Sequence, residues 1–192
     1  MSSSSHDAVV IGAGQSGLAG AWALRRRGLR PLVLEAQAEP VGSWPRYYDS
    51  LTLFSPARYS ALPDQPFPGD AERYPHRDEV IDYLRKYAVR LDVEIRTSSR
   101  VTRVDHHPDG FTATSGGDTF HAPIVIAASG GFGKPYTPAL PGLSSFTGQV
   151  LHAGRYREPS ALAGQRVVVV GAGNSAVQIA VELAQVAEAT TP

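Results

Sequence analysis

Hydrophobic positions fall first into an unbroken run, then into a helical stripe, then into a second run, an order that predicts strand, helix and strand. Ala8-Val9-Val10-Ile11 stops at Gly12-Ala13-Gly14, the pattern turns helical from about Gln15 to Arg27, and Gly28 closes it as a C-terminal cap. Pro31-Leu32-Val33-Leu34-Glu35 follows without polar alternation, as expected of a strand buried on both faces of a parallel sheet. Between Gln37 and Pro75, seven prolines and scattered aromatic residues break every period. A loop of this length inside a domain is usually functional. Helical order returns from Arg77 to Leu91, with Val80, Ile81, Leu84, Ala88 and Leu91 forming a core-facing stripe.

Val93-Glu94-Ile95 reads as a further short strand, and alternating runs near 100–106, 110–115 and 118–122 predict an antiparallel meander turned by Asp109-Gly110 and Gly116-Gly117. Ile124 to Ala128 is again apolar and predicts a buried strand; Pro135, Pro138, Pro141 and Gly142 then describe an extended linker. Arg166 to Val170 runs into Gly171-Ala172-Gly173-Asn174-Ser175-Ala176 and a helix to about Glu188, repeating the opening pattern. The expected division is 1–142, a linker 143–165, and the start of a second unit at 166–192. One strand and one helix fill that last stretch. Val167–Val170 is therefore expected to lack a sheet partner of its own, and Val177, Ala180, Val181, Leu183 and Ala184 to turn an apolar face to water, with fraying or self-association as the result.

Composition narrows the chemistry. The 192 residues are 42% apolar and 19% charged, enough for real cores. Eighteen basic residues balance eighteen acidic ones, which gives no electrostatic footprint for nucleic acid or an anionic membrane. Zero cysteines excludes a dithiol relay or a thiolate metal site in this stretch. Residues 1–6 are polar and serine-rich, no apolar run reaches the roughly 18 residues of a membrane span, and a cytoplasmic enzyme is the expectation.

Gly12-x-Gly14-x-x-Gly17 lies where a dinucleotide fingerprint must lie, between a buried strand and a helix. Gly12 permits the tight turn, Gly14 lets a pyrophosphate approach the backbone, Gly17 lets helix and strand pack closely, and Gln15 and Ser16 open the helix whose free N–H groups face the phosphates. Glu35 ends the next strand, where a carboxylate accepts ribose hydroxyls. Gly171-x-Gly173-x-x-Ala176 is a second copy, with Asn174 and Ser175 at its helix start. Two such turns in one chain point to electron transfer between a resident and an exchanged cofactor. Arg25-Arg26-Arg27 reads as a solvated helix end, His106 and His107 as turn-flanking residues without metal-ligand spacing, and Arg46, Tyr48, Arg58 and Tyr59 as candidates to line the loop's cavity.

Phe146-x-Gly148-x-x-x-His152-x-x-x-Tyr156, just before the second turn, resembles the signature of the flavin-containing monooxygenases. Gly42-Ser43-Trp44 is similar to that family's Gly-x-Trp segment near the flavin, and Tyr74-Pro75 with Arg77-Asp78-Glu79 to the lead into its next helix. Ala128-Ser129-Gly130 departs from the usual Ala-Thr-Gly, and Tyr156 in place of Trp favours the amine- and sulfur-oxygenating branch over Baeyer–Villiger enzymes. The resemblance spans nearly the whole chain. It implies an α/β fold: a Rossmann-like FAD-binding domain, a parallel sheet with helices and an inserted antiparallel meander, followed by the first β-α unit of a second Rossmann-like NADP-binding domain. It implies FAD on the first turn, NADPH on the second, and oxygenation of a small nucleophilic substrate by O2 through a C4a-hydroperoxyflavin. Trp44 would face the flavin, and His152 would couple nicotinamide placement to flavin geometry. Three other readings stand beside it: a disulfide reductase, which the missing cysteines disfavour; a flavin NAD(P)H oxidase or ferredoxin reductase without an organic substrate; and a non-catalytic nucleotide-binding remnant.

Overall fold

The computed structural model describes residues 6–131, 133 and 135–191. The polar N-terminal stretch 1–5 and Pro192 lie outside the described residues. Strands β1 (Ala8–Ile11), β2 (Pro31–Leu34), β3 (Glu94–Arg96) and a later strand, Val125–Ala127, form one parallel sheet. Three antiparallel strands, β4 (Val101–His107), β5 (Gly110–Ser115) and β6 (Asp118–Ala122), form the meander, so Val125–Ala127 is β7. The sheet order is β3-β2-β1-β7. Helices α1 (Gln15–Arg25) and α2 (Arg77–Leu91) complete the first unit.

Strand alternation sorts the side chains of the parallel sheet into two cores. Val10 and Val33 face α1 and α2, in a cluster with Leu18, Ala21, Val80, Leu84 and Leu91. Val9, Leu32 and Leu34 face the other way, against Ala113, Phe120 and Ala122 of the meander. The meander is thus one outer layer and the helices the other, which is why the two central strands carry no polar residue. β7 is one of the sheet's two edge strands, and the expectation of a buried strand there fails in part: Val125 and Ile126 are half-buried and Ala127 is exposed.

Each helix ends where its sequence stops supporting it. Gly28, at φ 77, takes the left-handed conformation after α1 that an L side chain resists. The buried stripe of α2 includes Tyr83 and Tyr87 beside the predicted aliphatics, because the two rings occupy the same helical period. Its start is a capping box: the His76 side chain accepts from Asp78 N–H, and Glu79 accepts from His76 N–H at 2.8 Å.

The second unit differs from the expectation. β8 (Arg166–Val168) leads to α3 (Asn174–Leu183), which is shorter than predicted, and the chain then returns as β9 (Ala189–Thr191), parallel to β8. The alanine-rich residues 184–188 fit a helical pattern, yet Ala184 caps α3 and Gly164 N–H and Glu188 N–H bond across the turn to Val186 and Gln165 carbonyls. Val168 and Val170 are strongly exposed, as are Val177 and Val181. Ile179 and Leu183 are buried instead, in a third cluster with Tyr48, Tyr156 and Leu162.

Glu79→Ala is expected to cost about 1 kcal/mol of stability at neutral pH, the usual worth of a lost cap. Hydrogen bonding from Arg73, then from His76 N–H, holds the Glu79 carboxyl below its ordinary value of 4.5. A lowered folded value means the contribution is present above pH 4.5 and disappears as pH falls through that lowered value. Urea melts of both proteins from pH 7 to 3 should converge at the acid end.

Candidate functional site

The first glycine turn is built by atomic exclusion. A Cβ on Gly17 would lie 1.8 Å from Gly12 carbonyl oxygen, so only glycine lets α1 seat on the end of β1. Gly12, at φ 103, has no more room, since its Cβ would meet Ala128 carbonyl oxygen at 2.4 Å beyond β7. The seated helix begins with Gly14 as N-cap, no side chain caps it, and no acidic residue stands in its first turn. By contrast with the capped α2, its N–H groups remain available to a ligand's oxygens.

Gly42 and Trp44 close over this turn from the long loop. Gly42 is at φ 61, and its Cβ would stand 2.7 Å from Gly14 Cα, so two backbones meet where side chains would fill the cradle. Trp44, in a short 3-10 turn Trp44–Arg46, donates its indole N–H to Gln15 Oε1 at 2.8 Å and lies edge-inclined to Tyr47 at 5.2 Å. Ser16 is exposed beside Gln15 and Gly17 is buried.

Glu35 is 4% exposed, and both its carboxylate oxygens are occupied by backbone donors. Ala13 N–H reaches Oε2 at 2.6 Å and Gln37 N–H reaches Oε1 at 2.8 Å. The residue expected to accept ribose hydroxyls also ties the glycine turn to the end of β2. Each oxygen keeps a second lone-pair direction.

The second turn repeats the first with looser packing. Gly171 is at φ 132 and Gly173 caps α3 in the same extended conformation as Gly14, again without a side-chain cap. Ala176 stands where the first turn has Gly17, and its Cβ lies 3.7 Å from the Cβ position of Gly171. An alanine is accommodated because helix and turn stand further apart. Asn174 is exposed and Ser175 half-buried.

The signature segment packs between the two units only at its Tyr156 end, and Phe146 at its start is exposed. The Phe146 ring folds over Gly148, whose Cβ would be 2.4 Å from the ring. His152 caps a short 3-10 turn, Ala153–Arg155, by accepting Gly154 N–H on Nδ1 at 3.0 Å. Tyr156 is buried, inclined to Tyr48 at 6.0 Å, and donates its hydroxyl to Glu182 Oε2 at 3.0 Å. Tyr48 donates to Gln178 Oε1 at 2.6 Å. Burial raises the Tyr48 phenol, with Ser175 opposing and Glu182 adding to the shift; burial and Glu182 raise Tyr156 likewise. Both phenols are donors at neutral pH.

Tyr48 is therefore buried against α3 and does not line an open cavity of the loop. Arg58 pairs with Glu72 and lies over the exposed Tyr59 ring, in a surface arrangement. Gln178, Glu182, Ser50 and Arg157 carry the contacts between the units, and sequence reasoning passed over all four. For two of them a signal was present: Gln178 and Glu182 are polar residues one turn apart in the stretch of α3 that is apolar after Asn174 and Ser175. His107 and His121 share the Thr112 hydroxyl, and among the described residues no group of three His, Cys, Asp or Glu could hold a metal ion. Among the same residues no helix is long and apolar enough to cross a membrane.

A four-stranded parallel sheet with a meander on one face and two uncapped glycine-turn helices define a Rossmann-like fold with two turns of the dinucleotide-binding type. The chain belongs to the pyridine nucleotide-disulphide oxidoreductase family, whose sequence model matches residues 9–191, and flavin monooxygenases are among the proteins it is similar to. It is 43% identical to the flavin-containing monooxygenase from Stenotrophomonas maltophilia, whose structure superposes with a TM-score of 0.92 over 97% of this chain and 57% of that one. It is 38% identical over 179 residues to a CzcO-like oxidoreductase of Geobacillus kaustophilus, covering 93% of this chain and 51% of the relative. S-allyl-L-cysteine S-oxygenase from Allium sativum superposes with a TM-score of 0.87 at 27% identity, over 99% of this chain and 51% of that one. The chain spans about half the length of the curated relatives it matches. The family's name includes disulphide chemistry, but these 192 residues have no cysteine with which to perform it. What they share with the family's reductases is the fold.

Gly17→Ala is expected to destabilise the first unit by about 2–4 kcal/mol, because the clash is with backbone and cannot relax locally. Ala176→Gly should cost only about 1 kcal/mol, the difference in helix propensity. Urea melts of the two variants measure the contrast, and equal losses would contradict the packing difference between the turns.

Proposed function

We propose that this chain is the nucleotide-binding part of an FAD- and NADPH-dependent monooxygenase that uses O2 to oxygenate a small nitrogen- or sulfur-containing substrate. The observation that carries the reading is the cradle at the first turn, where Gly14 and Gly42 backbones meet beneath an uncapped helix and beside the Trp44–Gln15 pair. A flavin dinucleotide fits these residues: the N–H groups at Gln15 and Ser16 would take its pyrophosphate, Glu35 its ribose hydroxyls, and Gly42 and Trp44 its ring-bearing half. Gly171, Gly173, Asn174 and Ser175 would take the nicotinamide nucleotide in the same manner. Bound FAD, reduced by NADPH, supplies the oxygen-activating chemistry that no side chain here can supply.

The residues of the chain bind and orient. Glu35 fixes the turn through Ala13 N–H while accepting ribose, so its loss affects both shape and contact. His152, at the junction between the units, would set the nicotinamide against the flavin. Tyr156 at the end of the signature, and the likeness to the Allium sativum S-allyl-L-cysteine S-oxygenase, support a soft nucleophile as substrate. Residues 1–142 would form the FAD domain, 143–165 the linker and 166–192 the start of the NADP domain. An ordinary cytoplasmic setting accords with the composition.

The chain is expected to retain FAD through gel filtration, and Glu35→Ala should weaken FAD by about 10- to 100-fold, the worth of one or two charge-assisted hydrogen bonds. Gly14→Val should abolish retention, since its side chain would fill the cradle. Unchanged FAD affinity in Glu35→Ala, measured by fluorescence titration, would remove that residue from the site. In the whole protein, His152→Ala should leave FAD bound while a larger share of NADPH is consumed to form hydrogen peroxide. An NADPH oxidation that yields only peroxide with every amine and sulfide offered would instead favour an oxidase.

A further inference from the structure

The five residues from Trp44 to Tyr48 touch the opening turns of both glycine-turn helices. At one end, Trp44 holds Gln15, the first residue of α1. At the other, Tyr48 is 3% exposed and donates to Gln178 on α3, and burial raises its phenol against an opposing effect of the side chain of Ser175, the second residue of α3. The middle is pinned: Tyr47 carbonyl accepts from Arg77 at 2.8 Å and from Arg157 at 2.9 Å, one arginine opening α2 and the other following the signature tyrosine. Asp49 N–H then donates to Arg157 carbonyl at 2.8 Å, and Gln178 Nε2 returns to Thr52 carbonyl at 3.0 Å.

Such a segment is short, braced at its centre and attached at both ends. Ordering of Trp44 therefore also restricts Tyr48, four residues on, because the braced backbone between them has few alternative arrangements. We propose that Tyr48 is a positioning residue through which occupation of the first turn orders the start of α3, making the two nucleotide sites one coupled unit. This rests on the reading of the first turn as the FAD site. FAD seated against Gly42 and Trp44 fixes the segment, Tyr48 is held on Gln178, and the helix that presents Asn174 and Ser175 to the second nucleotide opens less often. By linkage, a second nucleotide on α3 favours FAD by the same factor.

Tyr156 makes a second, separate tie. Its hydroxyl and that of Ser50 both donate to Glu182 Oε2, at 3.0 and 2.9 Å, one turn further along α3. The Tyr156 ring packs against Tyr48, but its hydroxyl bond to Glu182 is distinct from the Tyr48–Gln178 bond, and removing that hydroxyl alone provides an internal control.

The test is amide exchange of Val177 to Val181 in the 192-residue chain, with and without FAD, alongside an FAD titration. FAD should slow exchange of these amides by about fivefold or more, the lower end of ordinary coupling. Tyr48→Phe keeps the ring in its apolar cluster and removes only the hydroxyl; it should bind FAD yet lose the FAD-dependent slowing. Gln178→Leu, which removes the acceptor, should do the same. Tyr156→Phe should speed exchange of α3 in both states while leaving the ratio between them intact, as a purely structural tie would. FAD binding with no effect on α3 in the unaltered chain overturns the coupling alone, as does full slowing in Tyr48→Phe. A chain that takes up no FAD defeats the FAD reading, and the coupling with it.

Discussion

Contact between α1 and the end of β1 at Gly12 and Gly17 is the constraint on which the rest of the first unit depends. The carbonyl of Gly12 occupies the space where any other residue at position 17 would place its Cβ. With that space free, α1 lies close enough for Leu18 and Ala21 to reach the core, and its uncapped start is brought under Gly42. Glu35 secures the same corner from the side by holding Ala13 N–H, so a carboxylate at the end of β2 maintains the turn's shape before any ligand arrives. A buried charge satisfied by two backbone donors is a stable arrangement, and it leaves acceptor directions for a third and fourth partner.

The two glycine turns solve one problem at two packing distances. The first leaves no room for a methyl group at Gly12 or Gly17 and is tightly seated; the second admits Ala176 and is held less by its own sheet than by what surrounds it. Two three-residue strands are a small sheet, and Val168 and Val170 remain open to solvent. Ile179 and Leu183 find their cover against Tyr48, Tyr156 and Leu162. The second unit is thus anchored by residues of the long loop and the signature segment, which explains why the loop that breaks every sequence period is ordered across its length by hydrogen bonds to distant residues.

That loop joins what the family membership and the absence of cysteine leave as the chain's chemistry. A disulfide relay would place its reactive groups in the chain itself. Here the chain contributes concave backbone, helix ends and oriented donors, the equipment for holding cofactors whose own atoms react. Trp44, Gln15, Tyr48 and Gln178 lie along a single path from one helix start to the other.

Sequence by itself determined the elements whose periodicity is local: the unbroken runs of β1 and β2, the stripe of α2, the meander with its glycine turns, and both glycine fingerprints. Each follows from near neighbours in the chain, so hydrophobic period and turn chemistry suffice. The length of α3 was misjudged because alanines at 184–188 carry no signal against a helix, and β9 exists only through its pairing with β8. Tertiary structure alone decided that Glu35 grips Ala13 N–H, that Gly42 meets Gly14, and that Tyr48 turns into α3. Those contacts join residues 22, 28 and 130 positions apart in the chain. No local pattern encodes such pairings, since the loop that makes two of them has no period and takes its shape from the surfaces it bridges.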